Sequence, residues 1–213
     1  MSVFIIPGFL RKKEFYRPLA ENLRLINFKV SLQAKPRTEP PNFGGSGSGV
    51  KIIDLGFNFK NLDISSKIVY QNLKKSPGKH DIIAHSYGGI VLKYLLFKKP
   101  KIINQLKSVI FVCVPHGGSW QALLLSLVPA VREVLPFRKR LKKLSHVPLP
   151  ENTVNFISEK ELYVWPKKHG LLKDYIDIVI PETNHVSIIN NKNFITKATE
   201  FINSNYDQFF KGH

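Results

Sequence analysis

A single cysteine, Cys113, in a chain of 213 residues leaves no partner for an intramolecular disulfide and no thiolate set for a zinc site. Acidic residues are also scarce. There are 15 Asp and Glu against 32 Lys and Arg, a formal net charge of +17 at pH 7. That imbalance favours an anionic partner, whether a membrane surface, an acidic substrate or nucleic acid, and does not choose among them. Long apolar runs are missing too. The longest without a charge, Trp120 to Val131, is broken by Gln121, Ser126 and Pro129, and falls short of the roughly 20 residues a membrane span needs. No signal peptide is legible, because Val3 to Ile6 stops at Pro7-Gly8 and Arg11-Lys12-Lys13 follow the apolar run instead of preceding it. A cytoplasmic location is the expectation. What remains, 43% hydrophobic and 22% charged, suits one soluble globular domain over residues 1–213.

Short β-branched runs alternate with segments of helical spacing. Val3 to Ile6, Asp81 to Ala84, Ser108 to Val114, Val154 to Ile157 and Ile176 to Ile180 read as strands, and Phe28 to Leu32 as a further one. Phe15, Leu19, Leu23 and Ile26 form a helix face, as do Ile90, Val91, Tyr94, Leu95 and Phe97, and later Ala198, Phe201 and Ile202. This alternation predicts an α/β fold, a mostly parallel central sheet flanked by helices. Two segments interrupt it. Lys35 to Gly49 is loop-forming, and its end, Gly44-Gly45-Ser46-Gly47-Ser48-Gly49, resembles a synthetic flexible linker as much as a native loop. It is not a P-loop, since Lys51 is not followed by Ser or Thr. Residues 119–149 begin apolar, turn basic at Arg138 to Lys143, and predict a small helical insertion between two strands.

The chemistry concentrates at Ala84-His85-Ser86-Tyr87-Gly88-Gly89, where a strand runs directly into a helix. Small residues two before and two after a serine, here Ala84 and Gly88, let the backbones pass at a sharp elbow that lifts the hydroxyl above the sheet edge. A serine needs a base. Of seven histidines, His185 follows the strand Ile176 to Ile180 and reaches the same edge as Ser86, with His116 the competitor. His85 should point away from the hydroxyl, and His80, His146, His169 and His213 read as solvated surface residues. An acid to orient the imidazole should follow the preceding strand, which selects Glu161, with Glu159 as runner-up. Asp174 and Asp177 stand too close to the last strand. Pro7-Gly8-Phe9 ends the first strand, so the amides of Phe9 and Tyr87 would converge on an oxyanion.

These segments resemble the α/β-hydrolase fold, and within it the small lipases and esterases. Ala84 to Gly89 is similar to the elbow of that group, including bacterial lipases that carry alanine first. Pro7-Gly8-Phe9 takes the place of the His-Gly-x oxyanion segment, with proline for histidine. Val114-Pro115-His116-Gly117-Gly118-Ser119 matches the Thr-Pro-His-x-Gly-Ser loop, which implies a pocket-wall role for His116. Ser158-Glu159-Lys160-Glu161 aligns with the Gly-Glu-x-Asp turn, which implies Glu161 as the acid, with glutamate for aspartate. The resemblance also implies that 119–149 is a cap or lid whose apolar half lines an acyl pocket. Its basic half, with Arg138, Arg140 and Lys142, would meet an anionic membrane surface.

The expected function is therefore a serine hydrolase of carboxylic esters, lipid or otherwise apolar, with a Ser86-His185-Glu161 triad and no metal or organic cofactor. A thioesterase or amidase would use the same triad. A non-catalytic basic binding protein on this fold is the rival from another class. Nucleic acid is disfavoured as a partner, because the cations are scattered and no aromatic RNA motif is present.

Overall fold

The computed structural model describes residues 2–33 (side chains through residue 25), 49–56, 60–204 and 209. Six strands run in chain order: β1 (Ser2–Ile6), β2 (Gly49–Ile52), β3 (His80–His85), β4 (Leu106–Val112), β5 (Thr153–Ser158) and β6 (Ile176–Ile180). They form one sheet of order β2-β1-β3-β4-β5-β6 with every pairing parallel. Helices α1 (Arg17–Gln33), α2 (Leu62–Lys74), α3 (Tyr87–Lys98), α4 (Pro129–Arg132), α5 (Lys139–Leu144) and α6 (Lys192–Asn203) connect and cover it.

The central strands β1, β3 and β4 are largely apolar on both faces because both are covered. Phe4, Ile6, Ile82, Val109 and Phe111 pack with α2, α3 and α5. Val3, Ile5, Ile83, Ile110 and Val112 pack with α1 and α6. The period-two alternation of β1, β3 and β4 divides the core in this way.

One topological feature positions the site. From β1 the chain goes first to β2 on one side and then to β3 on the other, so the carboxyl ends of β1 and β3 flank the point where the winding reverses. Residues leaving β1 and β3 therefore face each other across that crevice. Ile6 pairs with Ala84 there.

Several expectations need correction. Phe28 to Leu32 is not a strand; it is the last part of α1. No proline or glycine stands between Pro18 and Gln33, so nothing stops the helix. The strand expected at Ser108 to Val114 lies two residues earlier, and Cys113, just past it, adopts a left-handed φ of 49°. His80 is buried, not solvated. It opens β3 under the edge of Phe4, with ring centroids 5.0 Å apart, and Nε2 reaches the Ser76 carbonyl at 3.2 Å. His169 is half-buried, its Nδ1 3.1 Å from the Gly118 carbonyl. β2 and α2 were not expected at all. The Gly44–Ser48 run and His213 lie outside the described residues.

Candidate active site

Ser86 sits between β3 and α3 with φ 52° and ψ −124°. For a residue with a side chain this conformation costs on the order of 1–3 kcal/mol and is held by its surroundings. The hold is steric and hydrogen-bonded. Ser86 N–H donates to the Val112 carbonyl at 2.8 Å, fixing the elbow to β4. A Cβ on Gly88 would strike the carbonyl oxygens of Ile6 and Pro7, and one on Gly8 would lie 2.9 Å from the Ser86 Cβ. Glycine at both positions lets the end of β1 and the start of α3 approach closely.

The side chains expected for the site come together. Ser86 Oγ lies 2.9 Å from His185 Nε2, and His185 Nδ1 lies 2.9 and 3.0 Å from the two Glu161 oxygens. The carboxylate fixes the tautomer: Nδ1–H donates to Glu161, which leaves Nε2 to accept from the serine hydroxyl. Glu161 is buried and otherwise fully engaged. It accepts from Ser158 Oγ at 2.7 Å, Tyr163 N at 2.8 Å and Val164 N at 3.2 Å. Burial pushes its carboxyl up, but the hydrogen bond and electrostatic attraction of His185, with the hydrogen bonds from Ser158 and the Tyr163 amide, outweigh it. The group is held well below the ordinary carboxylate range.

The alternatives lie elsewhere. Glu159 accepts from Glu182 N–H at 2.9 Å, and Asp177 accepts from Asn155 Nδ2 at 2.6 Å. His116 is buried edge-on against Phe111, its Nε2 3.4 Å from Asn155 Oδ1, and burial holds it well below the usual histidine range. Phe9 and Tyr87, the expected amide donors, border the same cleft as Ser86.

A second network passes beneath the elbow. Gly8 N–H donates to the Tyr16 hydroxyl at 2.8 Å, and that hydroxyl lies 2.8 Å from His85 Nδ1. His85 Nε2 lies 2.9 Å from the main-chain carbonyl of His185. The carbonyl can only accept, so Nε2–H donates to it, Nδ1 accepts, and the tyrosine hydroxyl donates to Nδ1. Burial and the neighbouring His185 bring His85 down to about 3, so it stays neutral. Burial pushes the Tyr16 hydroxyl up, which keeps it a donor. The segment carrying Phe9, the residue before Ser86 and the loop carrying His185 are thus tied together. Sequence patterns gave no sign of Tyr16, and placed His85 only as pointing away from the serine.

Cys113, Glu161 and His185 offer ligand atoms within 4.8 Å of one another, a spacing a metal ion could use. Their chemistry does not fit one. Burial, then the Glu161 charge, pushes the Cys113 thiol up, so it is a poor thiolate, and Glu161 and His185 already satisfy each other.

Above these groups lies a cleft of about 240 Å³. Leu125, Ala130, Val131 and Val134 from the segment between β4 and β5 form one wall, and Tyr163 and Val164 another. Ser119 joins the two: its hydroxyl donates to the Tyr163 carbonyl at 2.8 Å and accepts from Trp165 N–H at 3.2 Å.

No family model and no curated protein matches the chain. Solved structures do. The ydeN gene product of B. subtilis aligns with a TM-score of 0.63 at 13% identity, over 95% of this chain and 99% of that one. The mature Bacillus licheniformis lipase BlEst2 aligns at 0.63 and 16%, over 94% and 91%. Aspergillus fumigatus lipase B aligns at 0.72 and 11%, over 96% of this chain and 52% of that one. The chain has the α/β-hydrolase fold.

Proposed function

We propose that the chain is a serine hydrolase that cleaves carboxylic esters with an apolar acyl part. The observation that carries this reading is the unbroken hydrogen-bonded line from Ser86 through His185 to Glu161 at the base of an apolar cleft. His185 Nε2 takes the hydroxyl proton as Ser86 Oγ attacks the carbonyl carbon. Glu161 balances the imidazolium, and the amides of Phe9 and Tyr87 receive the oxyanion. His185 then returns the proton to the leaving alcohol, and water releases the acyl group by the same steps in reverse. Neighbours named as lipases support an ester as the scissile group. Thioesters and amides present the same acyl carbon, and a matched panel ranks them. The direct test is hydrolysis of 4-nitrophenyl octanoate. Ser86→Ala should lower kcat by at least about a thousandfold with the fold retained; an unchanged rate rejects the assignment.

A second reading concerns the segment 119–149, which we read as a cap. Leu124 is 87% and Leu127 93% exposed beside the cleft wall, and Lys139, Lys142 and Lys143 are exposed further along, with Arg138 half-buried and donating to the Arg132 carbonyl at 3.3 Å. Apolar tips with nearby cations favour peripheral contact with an anionic membrane surface. Arg140 contributes less than expected, because it is bound to Glu133 at 2.8 Å. Serine at Leu124 and Leu127 should weaken cosedimentation with phosphatidylglycerol vesicles, and equal recovery would contradict the idea. Among the described residues no helix is long and apolar enough to cross a membrane.

A further inference from the structure

Arg11 stands at the cleft two residues beyond Phe9, and it borders the same space as Ser86 and His185. Its guanidinium lies over the Phe15 ring, 4.9 Å from the centroid, a contact that favours this placement of the planar group.

Two neighbouring cations have carboxylate partners. Lys13 pairs with Asp54 at 3.3 Å, and Arg17 with Glu14 at 3.7 Å. Among the described residues no carboxylate lies within 4.0 Å of Arg11, and none lines the cleft. The backbone delivering it is strained: Leu10, between Phe9 and Arg11, has a left-handed φ of 57° and is 46% exposed. A leucine in that conformation costs free energy that its own packing does little to offset.

A largely apolar cleft bordered by one guanidinium that has no carboxylate partner among the described residues favours an anionic ligand group. We infer that Arg11 recognises an anionic group, a carboxylate or phosphate, carried by the ester substrate on an otherwise apolar framework. The inference rests on the ester-hydrolase reading and narrows it from apolar esters in general to amphipathic, negatively charged ones. A guanidinium suits the task because it presents two parallel N–H donors to such an anion and keeps its charge at any working pH.

Two matched pairs of soluble esters test it, one for each side of the scissile bond. The first is 4-nitrophenyl hydrogen suberate against 4-nitrophenyl octanoate, and the second is 4-(octanoyloxy)benzoate against its methyl ester. The readout is the ratio of kcat/KM for the anionic to the neutral member. In at least one pair Arg11→Gln should lower that ratio about tenfold, Arg11→Glu should lower it further, and Arg11→Lys should keep part of it. A ratio the same in wild type and Arg11→Gln for both pairs overturns the inference, although hydrolysis itself stands. Should Arg11→Gln change only cosedimentation with phosphatidylglycerol vesicles, Arg11 belongs to membrane contact and the inference also falls. If no ester is hydrolysed, the ester reading fails separately. The anion site is then read from calorimetric binding of suberamate and octanamide to wild type and Arg11→Gln. A preference for suberamate that needs Arg11 supports the site, and equal affinities reject it.

Discussion

Tyr16 is fully buried, and its hydroxyl links the segment after β1 to the end of β3, accepting from Gly8 and donating to His85. Phenylalanine at this position would strand the Gly8 amide and His85 Nδ1 in a dry interior, while the ring itself still fits. Tyr16→Phe is therefore expected to lower kcat about ten- to a hundredfold with KM little changed, because the loss falls on alignment of the reacting groups. A fall in thermal stability with kcat intact would show a structural role alone. Glu161 gives a prediction of pH dependence. Its native carboxyl titrates near 2 instead of 4.5, so its stabilising contribution is complete above the unfolded value and fades as pH falls from about 5 towards 2. Wild type should lose urea resistance across that window more steeply than Glu161→Gln; parallel profiles would contradict the pairing. Ser86, His185 and Glu161 were legible in the sequence because each directly follows a recognisable strand, and parallel strands end at one rim. Tyr16 and His85 were not, because their partners lie 69 and 100 residues away and no local pattern encodes such a bond.

At the scale of elements, the elbow depends on how closely α3 approaches β1. Alanine at Gly88 would gain roughly 1 kcal/mol of helix propensity, but its Cβ would meet main-chain oxygens that have no rotamer to retreat into. Overpacking of this kind costs about 1–3 kcal/mol, so Gly88→Ala should lower the melting temperature despite its better propensity. An unchanged or raised melting temperature would refute the close approach. The same helix carries Lys93, buried in the core with Nζ 5.7 Å from the centroid of the Phe111 ring. Burial lowers its ammonium to about 7. Between about pH 7 and 10 the unfolded chain holds a proton there that the native chain lacks, so stability rises with pH over that range. Lys93→Met should abolish the rise and stabilise the protein at neutral pH, as urea midpoints at pH 7 and 9 will report. The helix face on α3 was legible because its apolar residues outnumber this one intruder. α2 was not, since Ser65 and Ser66 fill buried positions where apolar residues would have marked the face. β2 was missed for a similar reason: it is four residues long, and Val50 is its one buried residue.

Across the whole molecule, the order of the winding matters more than any single contact. Reversal at β1 opens the crevice, and the parallel sheet delivers Gly8, Ser86, Glu161 and His185 to it from four different strand ends. The fold class was legible because strand–helix alternation is a global pattern that survives errors at individual boundaries. The surplus of positive charge was equally plain in composition. What it meets was not, because composition carries no positions; Arg11 gains significance only from the cleft it borders. Ser86 as an activated nucleophile is the central claim. Intact-mass analysis after treatment with a fluorophosphonate measures this most directly. Wild type should take up one phosphonyl group on Ser86, Ser86→Ala should take up none, and His185→Gln should react at least about a hundredfold more slowly. Labelling that persists in Ser86→Ala, or a wild-type chain that stays unlabelled while folded, would contradict it.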